Sequence, residues 1–182
     1  PTKIFLTETY TNWQAMFSSG ARRIMRSTTI DQHSVKFLTQ ETLAPMLALR
    51  GTNEPLAKLI DGRDPMGVPD SWFMDNGLTN LTLFRHYLMA WLADRPDIIK
   101  EMYIVVRTLK PTPSGIPLEI YCFTSSVLWM EYENTQSAIF EYITAVAGQF
   151  SLRLYQHPAG HDFWRLSQEY SLRDRIPPPG EG

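Results

Sequence analysis

Two stretches in which apolar and polar residues alternate, followed by one in which apolar residues recur every three or four positions, organise the second half of the chain. Leu118, Ile120 and Cys122 fall on one side of an alternating run and Glu119, Tyr121 and Phe123 on the other, the period-two signature of a strand. Tyr103 to Leu109 reads as its partner strand. The linker from Lys110 to Gly115 reads as a turn, because its prolines lack the donors a ladder needs and Gly115 tolerates positive φ. From Trp129 to Phe150, Tyr132, Ile139, Phe140, Ile143, Val146 and Ala147 form one stripe of a helix, against Glu131, Glu133, Gln136 and Glu141. Ile139, Phe140 and Ile143 are expected to pack on the sheet face lined by the 118 to 123 strand. Glu131 and Glu133 complement the positive end of the helix dipole, and Gly148 marks the helix end. Ser151 to Tyr155 alternates again and predicts a last strand.

Upstream, Arg22 to Asp31 alternates Ile24, Arg26, Thr28 and Ile30 against Arg23, Met25, Ser27 and Thr29, and predicts the first strand. Helical signals follow. A turn or two surrounds Leu43, Met46 and Leu47, where Pro45 requires a start near Thr42, and a short helix covers Leu56 to Ile60. Prolines 55, 65 and 69 break the pattern between Gly51 and Gly77, leaving an irregular loop after that short helix. A better helix runs from Leu81 to Ala93, with Phe84, Tyr87, Leu88 and Trp91 on one face and Arg95-Pro96 as its stop. The order β, helices, β, β, α, β predicts an α+β fold: a ferredoxin-like split βαβ domain with an inserted helical segment.

At 182 residues and 43% hydrophobic, the chain can bury a real core, and one principal domain is the natural expectation. No apolar run is long enough to span a bilayer, and no signal-peptide pattern opens the chain. A net charge of −2 gives no electrostatic reason to expect a nucleic acid or anionic lipid partner. The lone Cys122 excludes an intramolecular disulfide and points to a reduced compartment. Residues 1–20 read as the end of a truncated β-domain, with an orphan strand at 3–7 and Trp13 beyond it. Residues 21–158 form the main α/β domain, and 159–182 an extension ending in a polyproline-prone, disordered tail.

No candidate chemistry converges on a catalytic set. His157, His161 and Asp162 are ligand types close together, but Pro158 and Gly160 prevent a helical face that would aim two imidazoles at one ion, so the segment reads as a surface turn. Asp61, Asp64 and Asp70 lack the alternating spacing and terminal Glu of a calcium loop and read as solvated turn residues. Cys122 shares a face with Leu118 and Ile120 and reads as buried and structural. No catalytic residue, metal, nucleotide or other cofactor is therefore expected. Arg22, Arg23 and Arg26 have two readings: charges that discourage edge pairing at the strand entrance, or a positive potential that attracts anions or a partner carboxylate. Of the tryptophans, Trp13 favours an interface, whereas Trp129 is expected to pack on the hairpin and Trp72 and Trp164 remain open.

The chain resembles the cytoplasmic C-terminal region of MscS-type mechanosensitive channels, in particular their YbdG-like miniconductance branch. The matching residues are Asn12-Trp13, Arg22-Arg23-Ile24, Arg26-Ser27, Ile30-Asp31, Thr79-Asn80, Phe84-Arg85, Tyr87-Leu88, Pro117 to Tyr121, Phe123-Thr124, Trp129, Tyr132-Glu133, Gln136, Ile139-Phe140, Pro158, Gly160 and Asp162. The hairpin-to-helix block is the specific part. This resemblance implies a non-enzymatic vestibule domain on the cytoplasmic face of the bacterial inner membrane, preceded by membrane helices upstream of Pro1. It implies a homo-oligomer, a heptamer in the full channel, which releases ions and small osmolytes under tension on hypoosmotic shock. Trp13, Arg22 and Arg23 then become candidate subunit-interface or portal residues. The segment Gln32 to Gly77 is shorter than the family pattern and matches it poorly.

Overall fold

The computed structural model describes residues 20–157. The expected orphan strand, Trp13, Trp164, His161, Asp162 and the tail lie outside the described residues. The fold is α+β. Strands β1 (Arg22–Ile30), β2 (Val105–Thr108) and β3 (Ile116–Thr124) form an antiparallel three-stranded sheet in the order β1-β3-β2. Helices α1 (Gln40–Leu47), α2 (Asn53–Leu59), α3 (Asp70–Asp75) and α4 (Asn80–Asp94) lie between β1 and β2, and α5 (Trp129–Ala147) follows β3.

The register puts Ile24 opposite Cys122, Thr28 opposite Leu118 and Ile30 opposite Ile116. One face of the sheet is therefore apolar. Ile24, Ile30, Val106, Leu118, Ile120 and Cys122 are buried there in one cluster with Leu83, Phe84 and Leu88 of α4 and Ile139, Ile143 and Val146 of α5. Phe140 of the expected stripe packs against this cluster but at its margin. It is only partly buried, because it lies at the rim of α5 under the Arg26 guanidinium, 5.2 Å from its ring centroid.

β2 is shorter than the alternation of 103–109 implies, and Tyr103 is 79% exposed. The cause is competition for β3: Ile98 already bridges Thr124, and the Ile99 N–H donates to the Phe123 carbonyl at 2.9 Å. No β3 position is left for Tyr103. The expected last strand is reduced to one bridge, Ile30 to Leu154, with Asp31 N–H donating to Arg153 O and Tyr155 N–H to Thr29 O, both at 2.8 Å. β1 ends there, because Asp31 caps a 3-10 turn over Gln32–Ser34, so no further ladder can form.

α1 starts earlier than Pro45 suggested. Thr39 and Thr42 form a reciprocal cap that fixes the start at Gln40, and Pro45 is exposed in the helix interior. The loop expected after Ile60 contains a 3-10 turn, Pro65–Gly67, and α3, for which Pro69 is the N-cap rather than a breaker. α4 stops at Asp94 before Arg95-Pro96, as the sequence implied. Gly115 has φ +129, and an added Cβ would run into the Ile30 carbonyl, so the hairpin turn presses on the end of β1.

Candidate interface at the sheet end

β1 begins at Arg22, opposite Thr124 at the end of β3, and the alternation of β1 sends the arginines to both sides of the sheet. On the helix side, Arg22 lies 3.9 Å above the Tyr132 ring and Arg26 above Phe140. Such pairs hold the guanidinium over a ring's negative face. On the opposite side, Arg23 is 5.8 Å from the centroid of the Tyr121 ring. The Tyr132 hydroxyl donates to the Arg23 carbonyl at 3.2 Å, tying the first turns of α5 to β1. Burial, more than the opposing pull of Arg22, raises the Tyr132 phenol above its ordinary value.

Beside this corner, Arg95 donates to Asp97 at 2.9 Å through Nε and at 2.5 Å through its terminal nitrogen, and Asp97 accepts from Thr135 of α5 at 3.2 Å. Burial works against the charged carboxylate. The hydrogen bonds and charge of Arg95 outweigh it and hold Asp97 below the usual carboxylate range.

The sheet has a second face on which no described helix packs. Met25, Tyr121 and Phe123 lie there with Arg23, and the Tyr121 and Phe123 rings meet edge to face at 5.6 Å. Glu119, on this same face, is nevertheless buried, because Arg107 opposite it covers its carboxylate at 2.7 Å. The alternation assigned these residues to one side, but it could not say that no described helix covers that side.

Trp129 does not pack on the hairpin as expected. Leu128, Trp129 and Met130 are 61%, 63% and 62% exposed, three consecutive large apolar side chains at the start of α5. Trp129 is the first helical residue, more than two turns ahead of the buried stripe that begins at Ile139. Arg22 and Arg23 thus lie at one corner with this patch, while Trp13 lies outside the described residues.

The other candidates behave as turns or core. Asp61, Asp64 and Asp70 are exposed; Asp64 accepts from Met66 N–H and Asp70 from Gln40 N–H. His157 is exposed, with Tyr155 for company. Cys122 is buried, which pushes its thiol up to about 12. Trp72 is half-buried, edge to face with Phe73 and with Arg63 at 5.1 Å from its ring. Among the described residues no group of three or more His, Cys, Asp or Glu could hold a metal ion, and no helix is long and apolar enough to cross a membrane.

One cavity of about 740 Å³ lies between α2, α4 and α5, with Arg50, Glu54, Lys58, Trp91, Asp94 and Tyr142 among its walls. Trp91 stacks on Tyr142 at 4.0 Å and 7°, with Arg95 on Trp91 at 4.9 Å, and the Tyr87 and Tyr142 hydroxyls are hydrogen bonded. Lys58 is paired with Glu54 at 2.6 Å. No known family model matches the chain.

Proposed function

We propose that this chain is the cytosolic vestibule portion of an MscS-type mechanosensitive channel and that it contributes no chemistry of its own. The observation that carries the reading is the hairpin-to-helix unit. Pro117 to Tyr121, Phe123-Thr124, Tyr132, Gln136 and Ile139-Phe140, the residues most specific to the resemblance, make up β3 and the sheet-facing part of α5. Of Thr79 and Asn80, also shared, Thr79 caps α4 and Asn80 binds two separated backbone segments, 34–36 and the one at Phe150. The sheet order, with residues 153–155 bridging the free side of β1, is compatible with a ferredoxin-like split βαβ plan.

In this proposal membrane helices precede Pro1, the parent protein sits in the bacterial inner membrane, and its subunits, seven by resemblance, surround a hollow vestibule without nucleic acid or cofactor. Arg22 and Arg23 stand near a subunit boundary or portal, with Trp13. The test is expression of the full-length parent in cells lacking other tension-gated channels, followed by hypoosmotic shock. Restored survival and tension-gated currents in patches are expected; absence of both overturns the reading. Neutralising Arg22 and Arg23 to Gln should change assembly or ion preference with little change in threshold, and a large threshold shift alone would refute their assignment.

A second reading, a ferredoxin-like regulatory module that binds a small ligand, is favoured by the cavity between α2, α4 and α5. Its aromatic wall is largely occupied by its own stacking, which weighs against it. A thermal-shift screen with amino acids and nucleotides decides: a saturable rise in melting temperature abolished by Trp91→Ala would favour the ligand module.

A further inference from the structure

We infer that the cavity between α2, α4 and α5 is a binding site for a small zwitterion, an amino acid or its betaine, whose carboxylate meets Arg50 and whose ammonium meets Asp94. The inference goes beyond the channel reading and deepens the second reading, on which it rests for the seat of the ligand.

The face that α4 turns to the cavity runs Tyr87, Ala90, Trp91 and Asp94, steps of three and four that place them in one row. Its two aromatic residues are held in place. The Tyr87 hydroxyl is bonded to that of Tyr142, and Trp91 is stacked on Tyr142 and carries Arg95 over its ring. They form a rigid wall rather than a slot for a flat ligand. The space comes from the small residues beside them: Ala90 and Ala93 stop at Cβ, and Gly51, with φ +87, brings no side chain to the wall where the chain passes from α1 to α2. The resulting volume of about 740 Å³ is in the range of small-molecule sites.

Charge names the ligand class. Of the charged side chains that line the cavity, Lys58 and Glu54 are paired at 2.6 Å and cancel each other. Arg50 and Asp94 are exposed, and neither makes an ion pair or a side-chain hydrogen bond among the described residues, not even with the other. One cation and one anion therefore share the cavity without partners. A polyanion such as a nucleotide would have to lie against Asp94, and a bare ammonium against Arg50. A zwitterion satisfies both, with its carboxylate on the guanidinium and its ammonium on the carboxylate. Solvent reaches both groups, so each contact is weak and a dissociation constant of about 1 mM or weaker is expected. That range suits an abundant osmolyte.

Amide NMR spectra of the 182-residue chain, titrated to about 100 mM with glycine betaine, L-proline or γ-aminobutyrate, test this. Saturable shifts confined to Arg50, Gly51, Asp94 and the Trp91 indole are expected from at least one of the three, which differ in the substitution of the ammonium and its distance from the carboxylate. Acetate alone, tetramethylammonium alone and trehalose should bind about tenfold more weakly or not at all. Arg50→Gln and Asp94→Asn should each weaken binding about tenfold or more. Arg50→Asp combined with Asp94→Arg should restore it, because a zwitterion can turn round; a merely structural role for either residue would give no such rescue. Ala90→Leu should abolish the shifts with both charges in place. Circular dichroism checks that each variant folds. Shifts that never saturate overturn the inference, as do acetate or tetramethylammonium binding as well as the zwitterions, or charge variants that bind as well as the unaltered chain. Saturable binding with a failed shock assay would sink the channel reading and leave the site standing; survival restored without zwitterion binding would sink only the site. A nucleotide that raises the melting temperature through Trp91 while no zwitterion binds would keep the ligand module and remove this ligand class.

Discussion

Asn80 ties two stretches of backbone, 34–36 and the one at Phe150, to the start of α4. Its Oδ1 accepts from Lys36 N–H at 2.9 Å, and its Nδ2 donates to the Ser34 and Phe150 carbonyls at 3.0 Å. It is buried, so water cannot replace those bonds. Asn80→Leu should cost about 3 kcal/mol or more, read from the urea midpoint, because unpaired buried backbone groups cost about 1–3 kcal/mol each. His86 carries a pH effect. Burial, with Arg85 beside it, lowers its pKa from 6.5, so the folded state favours the neutral ring. Its contribution is whole above 6.5 and is lost as pH falls through the depressed folded value. His86→Gln should flatten that part of the stability profile, measured by denaturant titration between about pH 7 and 5. Cys122 should react with a thiol reagent only after denaturation, as its burial and raised pKa imply.

α5 shows what its periodicity conveyed and what it did not. Ile143 is fully buried and Phe140 lies at the rim, although both belong to the same three-and-four pattern. Ile143→Ala should therefore cost about 2–5 kcal/mol, and Phe140→Ala clearly less, compared by chemical denaturation. The hairpin turn allows a sharper test: Gly115→Ala meets both a positive φ and the Ile30 carbonyl, so it should destabilise by about 2 kcal/mol or more, with a matching fall in thermal midpoint. β1, β3, α4 and α5 were legible because each alternates or recurs over a long run. β2 and the 151–155 segment were over-read, since alternation reports a side chain's surroundings and not whether a neighbouring strand has a free edge. α3 was missed because Pro69 reads as a breaker until its place before the first helical residue is known. Of the candidate site, the facing of Arg22, Arg23 and Arg26 was legible from period two. The exposure of Trp129 was not, since it depends on where along α5 the burial begins, at Ile139 rather than at the first turn.

For the molecule as a whole, what matters is that both helices flanking the sheet occupy one side, leaving β2 at an outer edge. Arg85 of α4 reaches that strand and donates to the Val106 carbonyl at 3.1 Å, occupying an acceptor that a passing strand would otherwise use. Arg85→Leu should raise the rate of aggregation in dilute solution, followed by light scattering, while the melting temperature moves little by comparison with Asn80→Leu. β3 also has a consequence in time. It is the centre of the sheet, yet the bond from the Thr124 hydroxyl to the Arg22 carbonyl spans 102 residues. A nascent chain therefore carries β1 and all four helices between β1 and β2 out of the ribosome before the strand that unites them exists. Truncations ending before Ile116 should be protease-sensitive throughout, and refolding of the intact chain should be slow for its size, because β1 can pair with β3 only once the long intervening loop has closed, whereas the β2–β3 hairpin forms locally.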